Sequence, residues 1–508
     1  MSESNRTAIR VTKETSYRVL PATPHYQELR FNSDTLAYTP TTETSNEIDS
    51  SRQVKDLILT GYDAAGDIVT EYSIENLDPI LEGALANTWL RTPEVYNGPG
   101  WEYAATATRI SGVTFATSTA TFTTAASSVL NGSAINATGA AFKVGMLVRA
   151  TGFSTAANIG LFPVTASTAT TVAVTGGAAE ASPPVGARLK VVGAQGASGD
   201  ITAVTAGGNA LVTTTLDWTT MGLIVGQWVK ISSEGGNYSF ATSGCNVYAR
   251  ISAISATRLS FDVVTGSSWA ADTGTSKTIR VYWGDTIRNG VTPASYRIEK
   301  SYVLDAGQRY AYYRGMQVGT IAVSAETRAV VTATVSWTGS DSTPMSPTRD
   351  SGAVTLASPA GTVLDSSNSV PLLLEAGTTL ASPNYVSSFS FTLENNLRAQ
   401  SAVGTAGAVG IGMGRSVFTG NLNTYFGDET ILTKLINNTA SSVTITLRDQ
   451  ATFKSDLWDV PRLKYSSGTP ETTGVDTDIF SNLAFQGLRD VLNNRDYTVM
   501  LNHFDYVI

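Results

Sequence analysis

The residue types most able to carry out chemistry are few in this sequence and lie far apart. The two histidines, His25 and His503, belong neither to an HExxH motif nor to a spaced cluster of Cys and His, so no zinc site is predicted. The single cysteine, Cys245, can form no internal disulfide, and we interpret it as an inert thiol in a Ser/Gly-rich loop. These residue types therefore predict no catalytic residue and no metal ligand.

Three short motifs resemble functional loops but lack the residues that such loops need. The glycine-rich stretch GTAGAVGIGMG at 404–414 has no following Gly-Lys-Ser/Thr, and Arg415 breaks the G-x-G-x-x-G spacing. We interpret it as a turning loop before a strand. The string GRSVF at 414–418 lacks the second glycine of a nucleophile elbow. VDTD at 475–478 lacks the other ligands of a calcium loop, so we predict no cofactor and no enzyme.

The composition limits the possible classes of protein. The chain has 508 residues, enough for three or four domains, and Ala, Thr, Ser, Val and Gly are abundant, which favours many short strands. Only 15% of the residues are charged, and the net charge of −8 argues against a surface that binds nucleic acid phosphates. Neither a long apolar run nor a signal peptide is visible, so we expect a protein made in the cytoplasm, without a membrane partner.

One alternating segment changes abruptly into a helix at residues 66–89, GDIVTEYSIENLDPILEGALANTW. Its first half has the period of two of a strand, and its second half has apolar residues at helical spacing. Asn76 or Asp78 is the predicted N-cap, and Pro79 suits an early helix position. The helical apolar positions are Leu77, Ile80, Leu81, Ala84 and Leu85.

A second helix of the same kind is predicted in GRSVFTGNLNTYFGDETILTKLINNTASSVTITL at 414–447. A shift of 351 residues superimposes the apolar pairs of the two helices, and strand-rich segments flank both. We therefore predict a duplicated unit in which each helix packs one apolar stripe on the sheet of its own unit. The second stripe consists of Ile431, Leu432, Leu435 and Ile436.

A pair of similar segments interrupts the first unit. FKVGMLVRATG at 142–152 resembles LIVGQWVKISS at 223–233, and TASTATTVAV later resembles SAISATRLSF, which predicts two copies of a small all-β module inserted in a surface loop. The predicted organisation is an N-terminal arm (1–20) that orders only on contact, unit 1 (21–102 and 284–340), module 1 (103–190), module 2 (191–283), a linker (341–384) and unit 2 (385–508).

These residues resemble the major tail tube proteins of long-tailed siphophages. The resemblance covers roughly 20–102, 285–340 and 385–508, and the modules depart from the basic pattern. The motifs that carry it are LRFNSDTLAYTP (29–40), SNEIDSSRQVKDL (45–57), GDIVTEYSIENLDPILEGALANTW (66–89), SFTLENNLRAQSAVGTAGAVGIGMGR (390–415) and VFTGNLNTYFGDETILTKLINNTASSVTITL (417–447).

The resemblance implies a structural protein of the virion tail. It implies β-sandwich units with a flanking helix, each with a long hairpin that adds strands to a β-barrel around a channel for viral DNA. Rings would stack into a tube, with the tape measure, tail terminator and tail tip proteins as further partners. An acidic wall would not retain the phosphate backbone. Candidate residues for the lumen or for subunit contacts are Glu47, Asp49, Glu71 and Glu75.

Six units form a ring in this family, so a chain with two units predicts trimeric rings with pseudo-sixfold symmetry, with true hexamers as the alternative. The modules would project outwards, either as passive decoration or as weak adhesion modules if Trp218, Trp228 and Trp269 were exposed. Two other classes remain open. A secreted bacterial adhesin or surface-layer protein could share this composition, and a polysaccharide-cleaving enzyme would need paired acidic residues in a cleft, which we do not find.

Overall fold

The structure, a computed structural model, describes residues 3–48, 50–103, 108–132, 134–232, 238–266, 268–380, 383–470, 472, 474–491 and 495–506. It is mainly β, as the composition predicts, with two short α-helices in the described part of the chain. Unit 1, unit 2, module 1 and module 2 keep the residue ranges given above, and modules 1 and 2 together are called the module pair.

The first part of the chain consists of five strands and a helix. They are β1 (Ala8–Lys13), β2 (His25–Leu29), β3 (Ser33–Asp34), β4 (Ala37–Thr44), β5 (Leu57–Glu71) and α1 (Asp78–Leu85). Strand β1 pairs with β2, and its Ile9 and Val11 are fully buried. The predicted mobile N-terminal arm is therefore wrong for residues 8–13, because two apolar residues on one face of that segment are buried in the sheet of the chain itself.

The central part of the chain contains fifteen strands among its described residues. They are β6 (Arg91–Tyr96), β7 (Ile110–Ala116), β8 (Thr119–Thr124), β9 (Val129–Gly132), β10 (Ala134–Ala137), β11 (Met146–Thr151), β12 (Gly160–Ser167), β13 (Thr171–Thr175), β14 (Arg188–Gln195), β15 (Thr202–Val204), β16 (Ala210–Val212), β17 (Trp228–Ile231), β18 (Tyr248–Ile254), β19 (Arg258–Val264) and β20 (Arg280–Tyr282).

The last part of the chain returns to the first sheet. Its elements are β21 (Asp285–Arg288), β22 (Tyr296–Leu304), β23 (Gly307–Glu326), β24 (Thr332–Gly339), β25 (Asp341–Ser342), β26 (Val354–Leu356), β27 (Leu372–Glu375), β28 (Thr378–Thr379), β29 (Val386–Glu394), β30 (Arg398–Gln400), β31 (Gly410–Gly412), β32 (Val417–Tyr425), α2 (Thr430–Ile436), β33 (Ser441–Arg448), β34 (Ser455–Ser467), β35 (Phe480–Gly487) and β36 (Met500–Phe504).

The segment 341–384, predicted as a linker, carries short strands that belong to the main sheet. Strand β26 pairs in parallel with β2, and β27 pairs with β33 in unit 2. Leu364 and Leu374 are fully buried. The linker prediction is wrong here, because a few apolar residues within a Ser/Thr-rich stretch are enough to fix the chain against both units.

The same strand order occurs twice in the main sheet. In unit 1 the order across the sheet is β3-β5-β24-β23, and in unit 2 it is β29-β32-β35-β34. Numbered along the chain, each set is ordered first, second, fourth, third, and each has its helix between the second and third strands. The two sets are joined where Thr320–Glu326 of β23 pairs with Ser388–Glu394 of β29. This pairing is called the unit joint, and all of these pairings are antiparallel.

Helix α1 forms where the sequence predicts it, although its cap differs. Leu77, not Asn76 or Asp78, is the N-cap residue, and it makes no side-chain capping bond. The side chain of Asn76 instead bonds both backbone polar groups of Arg30. Pro79 lies in the first turn, and Ala86 closes the helix with a left-handed backbone (φ 50°). The stripe residues Leu77, Ile80, Leu81 and Leu85 are all buried in the main core.

Helix α2 is less deeply packed than α1. Ile431 is buried and Leu435 is partly buried against the main core, and Leu432 is half-buried. Ile436 is 73% exposed, so the prediction that it packs on the sheet is wrong for this residue. The helix ends at Ile436, and the chain turns there through Asn438 (φ 52°), which leaves the last side chain of the stripe beyond the sheet.

The module pair repeats one strand order twice. Module 1 has the order β7-β8-β13-β12-β11-β14, module 2 has β15-β16-β19-β18-β17-β20, and β14 pairs with β20 to join them. The predicted boundary at residue 190 falls inside β14, and β6, which was predicted within unit 1, pairs with β14 in the module sheet. Hydrogen bonding that spans the domain boundaries is not visible in composition, which explains both errors.

The repeat extends to single side chains. In module 1 the carboxylate of Glu180 accepts the backbone N–H groups of Ser154 and Thr155, and in module 2 Asp272 accepts that of Thr242. Each of these turns leads into a short 3₁₀-helix, Ala156–Asn158 or Ser243–Cys245. Both carboxylates have a lowered pKa, because these hydrogen bonds outweigh the effect of burial.

Candidate assembly surfaces

One face of the main sheet is packed on the core, and the other face is open and polar. Six consecutive strands, β5-β24-β23-β29-β32-β35, bury residues such as Ile321, Val335 and Phe391 on one side. The side chains on the other side are half-buried or exposed: Asp67, Val69, Glu71, Thr320, Ala322, Ser324, Glu326, Thr332, Thr334, Ser336, Thr338, Ser388, Ser390, Thr392, Glu394, Thr419, Asn421, Asn423, Asn482, Ala484 and Gln486. This set is called the open polar face.

The open polar face is acidic and is made of short side chains. It contains four carboxylates, those of Asp67, Glu71, Glu326 and Glu394, and the set of residues that defines it includes no Lys, Arg or His. The neighbouring strand β34 adds two half-buried cations, Arg462 and Lys464, and Lys464 lies opposite Gln486. Hydroxyl and amide groups remain hydrated, so this face can border water without an apolar patch.

The hairpin of β4 and β5 extends beyond the body of the sheet. All eight residues of β4 are exposed, and the first part of β5 pairs with β4 alone. Leu57, Ile58 and Leu59 are 49–61% exposed, so large apolar side chains lie on both faces of the hairpin. Apolar side chains gathered at one exposed segment are typical of an interaction site.

The glycine-rich stretch 404–414 supports the base of this hairpin. Tyr62 donates its backbone N–H to the carbonyl oxygen of Ala406 at 2.9 Å. A Cβ on Gly407 would come within 2.8 Å of the Tyr62 ring, so the absence of a side chain permits this close approach. The part of the stretch before β31 (Gly410–Gly412) is therefore a loop with a packing role, as expected for a turning loop before a strand.

A second exposed apolar group lies at the opposite end of the sheet. Tyr385, Tyr425, Phe426 and Ile479 are 37–56% exposed, and they are neighbours because Tyr425 donates to the Tyr385 carbonyl and Phe426 to that of Ile479. The strand register places this group, called the basal patch, at the end of the strands that is remote from the hairpin. The two exposed apolar surfaces of the sheet thus face opposite directions along the strands.

The four predicted acidic residues do not form one site. Glu71 lies on the open polar face opposite Thr332, and its place in a lumen stays a prediction. Glu47 is exposed beyond β4 and pairs with Lys55 at 3.1 Å. Asp49 lies outside the described residues. Glu75 does not lie on a strand of this face: it pairs with Lys454 at 2.5 Å in a cluster of buried charges, so we correct its assignment to the lumen.

The cluster of buried charges lies where unit 1, module 1 and unit 2 meet. Asp505 is nearly fully buried among Arg149, Arg188, Lys190 and Lys454, all within 3.3–3.9 Å of it. Burial alone would raise the pKa of Asp505, but these cations hold it well below its usual range. A cavity of about 510 Å³ adjoins the cluster and is lined in part by Arg91, Glu94 and Trp101.

His503 belongs to the same cluster and is positively charged at neutral pH. Its Nδ1 lies 2.8 Å from the carboxylate of Asp456. Burial by itself would lower the pKa of His503, but the carboxylates of Asp78 and Asp456 raise it to about 9. Burial also raises the pKa of Asp78, to about 6.

Among the described residues, Glu75, His503 and Asp505 could present ligand atoms within 4.8 Å of one another. The arrangement does not suit a metal ion, because His503 is protonated and Lys454 already occupies the carboxylate of Glu75. The cluster was missed from the sequence, because some of its members, such as Glu75 and Asp505, are more than four hundred residues apart. The alternation of Arg188 and Lys190 on β14 is a local signal that the sequence analysis did not use.

Trp218 and Trp228 are buried at 0% and 1% exposure, and the indole of Trp269 donates to the carbonyl of Val204. Trp218 and Trp228 are core residues, and Trp269 is half-buried against the same core, so none of the three supports an adhesive surface on the modules. Cys245 is also fully buried, and its thiol donates to the carbonyl of Ala270.

The sequence was compared with protein families and with curated proteins. The family model of the phage tail tube protein matches residues 4–487, a range that includes the module pair. No curated protein matches the chain. No helix in the described part of the chain is long and apolar enough to cross a membrane. The match covers nearly all of the chain, so the chain belongs to the phage tail tube protein family and is a structural component of the virion that assembles with copies of itself and with other tail proteins.

Proposed function

We propose that copies of this chain close into rings whose open polar face lines a channel, and that viral DNA passes through this channel. The observation that carries the proposal is the continuous six-strand sheet with one apolar face in the core and one acidic, hydroxyl-rich face in contact with solvent. Closing such a sheet removes its exposed edges. Carboxylates on the wall repel phosphates, so DNA can move without being retained.

Three chains suffice for the ring in this proposal. The strand order of unit 1 recurs in unit 2, and the unit joint pairs the third strand of unit 1, β23, with the first strand of unit 2, β29. The equivalent contact between chains would pair β34 of one copy with the β3 and β4 region of the next. That edge of β34 is open beyond Leu463, because β33 reaches only to the pair Ser441–Leu463. Six copies per ring remain the alternative.

Rings stack head to tail in the same proposal. The hairpin residues Leu57–Leu59 of one ring would bury themselves against the basal patch of the next, since these exposed apolar surfaces lie at opposite ends of the sheet. A contact between two different surfaces of identical chains repeats without limit along one axis, as a tube requires. The tape measure protein would occupy the channel, and the terminator and tip proteins would close its two ends.

The module pair projects from the outside of the tube in this proposal. It packs on β34 and β36 of unit 2 and on β27 of the segment 341–384, not on the open polar face. We favour decoration of the tube surface over adhesion, because Trp218 and Trp228 are core residues.

The test is negative-stain electron microscopy of the purified chain combined with mass photometry. Stacked rings and a particle with three times the mass of one chain, 53.5 kDa, are expected. A sixfold mass would retain the channel but contradict the proposal that one chain supplies two ring positions. Monomers that never assemble at high concentration would overturn the ring itself.

A matched pair of variants tests which surface closes the ring. Ser466→Pro places a residue without a backbone donor at the open edge of β34, and we expect it to prevent ring closure. The control is Ser466→Ala, which retains the backbone donor at the same position. A proline within the sheet, such as Ser390→Pro, would not be a suitable control, because it would break the sheet. Rings formed equally well by both variants would show that this edge does not close the ring.

A further inference from the structure

We propose that the module pair is an intramolecular clasp, which is held in unit 1 by the strands at its two ends and binds unit 2, and so fixes the angle at which the two units meet. This function does not depend on ring formation, because all the contacts that carry it lie within one chain. This function differs from decoration of the tube. If the modules were only decoration, loosening them would leave the arrangement of the two units unchanged.

The base of the module pair is fixed to unit 1. Strand β6, which follows α1, pairs with β14, and a bridge between Leu90 and Thr286 joins the two strands where the chain leaves unit 1 and returns to it. Asp285 binds Arg91 at 3.0 Å and Lys190 at 2.9 Å. The entry and exit segments are therefore held together by backbone and ionic contacts, and the module pair cannot swing freely on them.

The other side of the module pair packs on unit 2 through an apolar contact. Trp228 and Tyr282 of the modules are buried against Leu457 and Phe504 of unit 2 in one cluster. The backbone N–H of Trp228 donates to the side-chain oxygen of Asn502 at 3.0 Å. Strand β21, the first strand of unit 1 after the module pair, pairs with β36 of unit 2 beside this contact.

Ion pairs surround this apolar contact, and each side supplies both signs of charge. Arg250 of module 2 binds Asp459 of unit 2 at 3.2 Å, and Arg495 of unit 2 binds Asp262 of module 2. Arg250 and Arg495 both have side chains that are at least 95% buried. Buried, reciprocal ion pairs tolerate little displacement, because an unpaired buried charge is strongly unfavourable.

The unit joint is one of two strand pairs between the units, because β21 of unit 1 also pairs with β36 of unit 2, and both units share one apolar core. The twist between adjacent strands varies widely, from about −10 to −35°, so each further connection narrows the range of angles that the two units can adopt. The module pair is one continuous sheet from β7 to β15, and it contacts both units. It therefore adds a connection at a distance from the two strand pairs.

The test is amide hydrogen exchange in the full chain, measured over β23 and β29 at the unit joint. The variant Arg250→Gln removes one ion pair with unit 2. Its control, Arg258→Gln, makes the same substitution in the same module, where Arg258 bonds the carbonyls of Ala206 and Gly208 and does not contact unit 2. We expect exchange at the joint to accelerate about tenfold or more in Arg250→Gln and to remain unchanged in the control.

A second variant keeps the test decisive if Arg250→Gln does not fold. Asp262→Asn weakens the contact with Arg495 at a carboxylate that is 27% exposed, so the modules themselves should remain folded. Faster exchange at the joint in this variant supports the clasp. Faster exchange confined to β17, β19 and β36, with the joint as protected as in the wild type, overturns it.

Discussion

Two of the contacts that hold the parts of this chain together, the unit joint and the contact between the module pair and unit 2, are built from different interactions. The unit joint consists of seven backbone residue pairs between β23 and β29 above one shared apolar core. The contact between the module pair and unit 2 depends on individual side chains, above all on the buried ion pairs of Arg250 and Arg495. Backbone pairing can be repeated by any edge with the same geometry, whereas the side-chain contact fits one partner surface only. The joint is therefore suited to assembly, and the module contact to fixing a conformation.

The largest loss of stability is expected from the apolar core beneath the unit joint. Phe391 is 2% exposed and packs on Phe418 and Trp458 at ring distances of 5.5 and 5.0 Å. Phe391→Ala should lower the free energy of unfolding by about 3–5 kcal/mol, as measured by urea denaturation. Thr392→Ala, on the open polar face of the same strand, should change it by about 0.5 kcal/mol or less. Equal effects would contradict the division of the strand into a core face and an open face.

The contribution of the buried ion pairs around the module pair is tested at Asp285, which is fully buried. Its carboxylate accepts from the backbone N–H of Thr92 and binds Arg91 and Lys190. Burial alone would raise the pKa of Asp285, but Lys190 and Arg91 hold it well below its usual value. Asp285→Asn leaves two buried cations undercompensated, and we expect a loss of about 3 kcal/mol in urea denaturation. Glu394→Gln on the open polar face is the control. A loss no larger than in this control would show that the ion pairs add little.

A polar side chain also stabilises the unit joint. Asn395, 2% exposed, donates to the carbonyl oxygens of Ala84 in α1 and Val318 in β23, at 2.9 and 3.0 Å. Asn395→Ala leaves two buried acceptors unpaired, so the free energy of unfolding should fall by about 1–3 kcal/mol. The half-buried Asn423, on the open polar face, provides the control, since Asn423→Ala should have almost no effect. Faster amide exchange in β29 should accompany the loss, and unchanged exchange there would place the role of Asn395 elsewhere.

The charge of His503 makes the stability of the chain dependent on pH. The pKa of His503 is raised to about 9 in the folded chain, against 6.5 for an unperturbed histidine. The folded state therefore retains the proton longer, so its stabilisation is complete below pH 6.5 and is lost as the pH rises through 9. Asp78, Asp456 and Lys190 face this imidazole, and Asp78 is itself raised by burial to a pKa of about 6, at the lower end of that window.

We expect the urea midpoint of the wild type to fall between pH 6.5 and 9, and the slope to be weaker in His503→Asn. The amide nitrogen of Asn lies near the position of Nδ1, so this variant keeps a donor for the carboxylate of Asp456. A midpoint that stays constant over this range in the wild type would show that the imidazole is neutral in the folded chain.

The sequence predicted the local elements well, because their signals are local. The alternation before Leu77 and the helical spacing after it predict β5 and α1, and the two VG motifs predict the module repeat through Gly145 and Gly226. The contacts that join the parts could not be predicted in this way. Asp505 meets Arg149 and Arg188 across more than three hundred residues, and nothing in the spacing of these charges distinguishes them from solvated ones.

The errors have a common physical cause. The segment 341–384 was predicted as a linker because Ser, Thr, Pro and Gly dominate it. A few buried leucines, such as Leu364 and Leu374, are nevertheless enough to fix an extended segment on an existing sheet. Glu75 was grouped with Glu71 because both lie near the same strand. The positive φ of Glu75 (73°) turns its side chain out of the strand and towards Lys454.

The smallest effect on stability should accompany a large effect on assembly. Leu57 and Leu59 lie on one face of the hairpin and are 61% and 53% exposed, so the double variant Leu57→Ser, Leu59→Ser should change the free energy of unfolding by about 0.5 kcal/mol or less. If these side chains are buried only between stacked rings, the variant should form single rings and few tubes in negative stain. Val185→Ser, at an equally exposed position of module 1, should form tubes of normal length. Normal tubes in both variants would show that the backbone edges, and not the hairpin, hold the rings together in a stack. Loss of the rings themselves would show that the hairpin, like the strand pairing of the unit joint, contributes to the contacts within a ring.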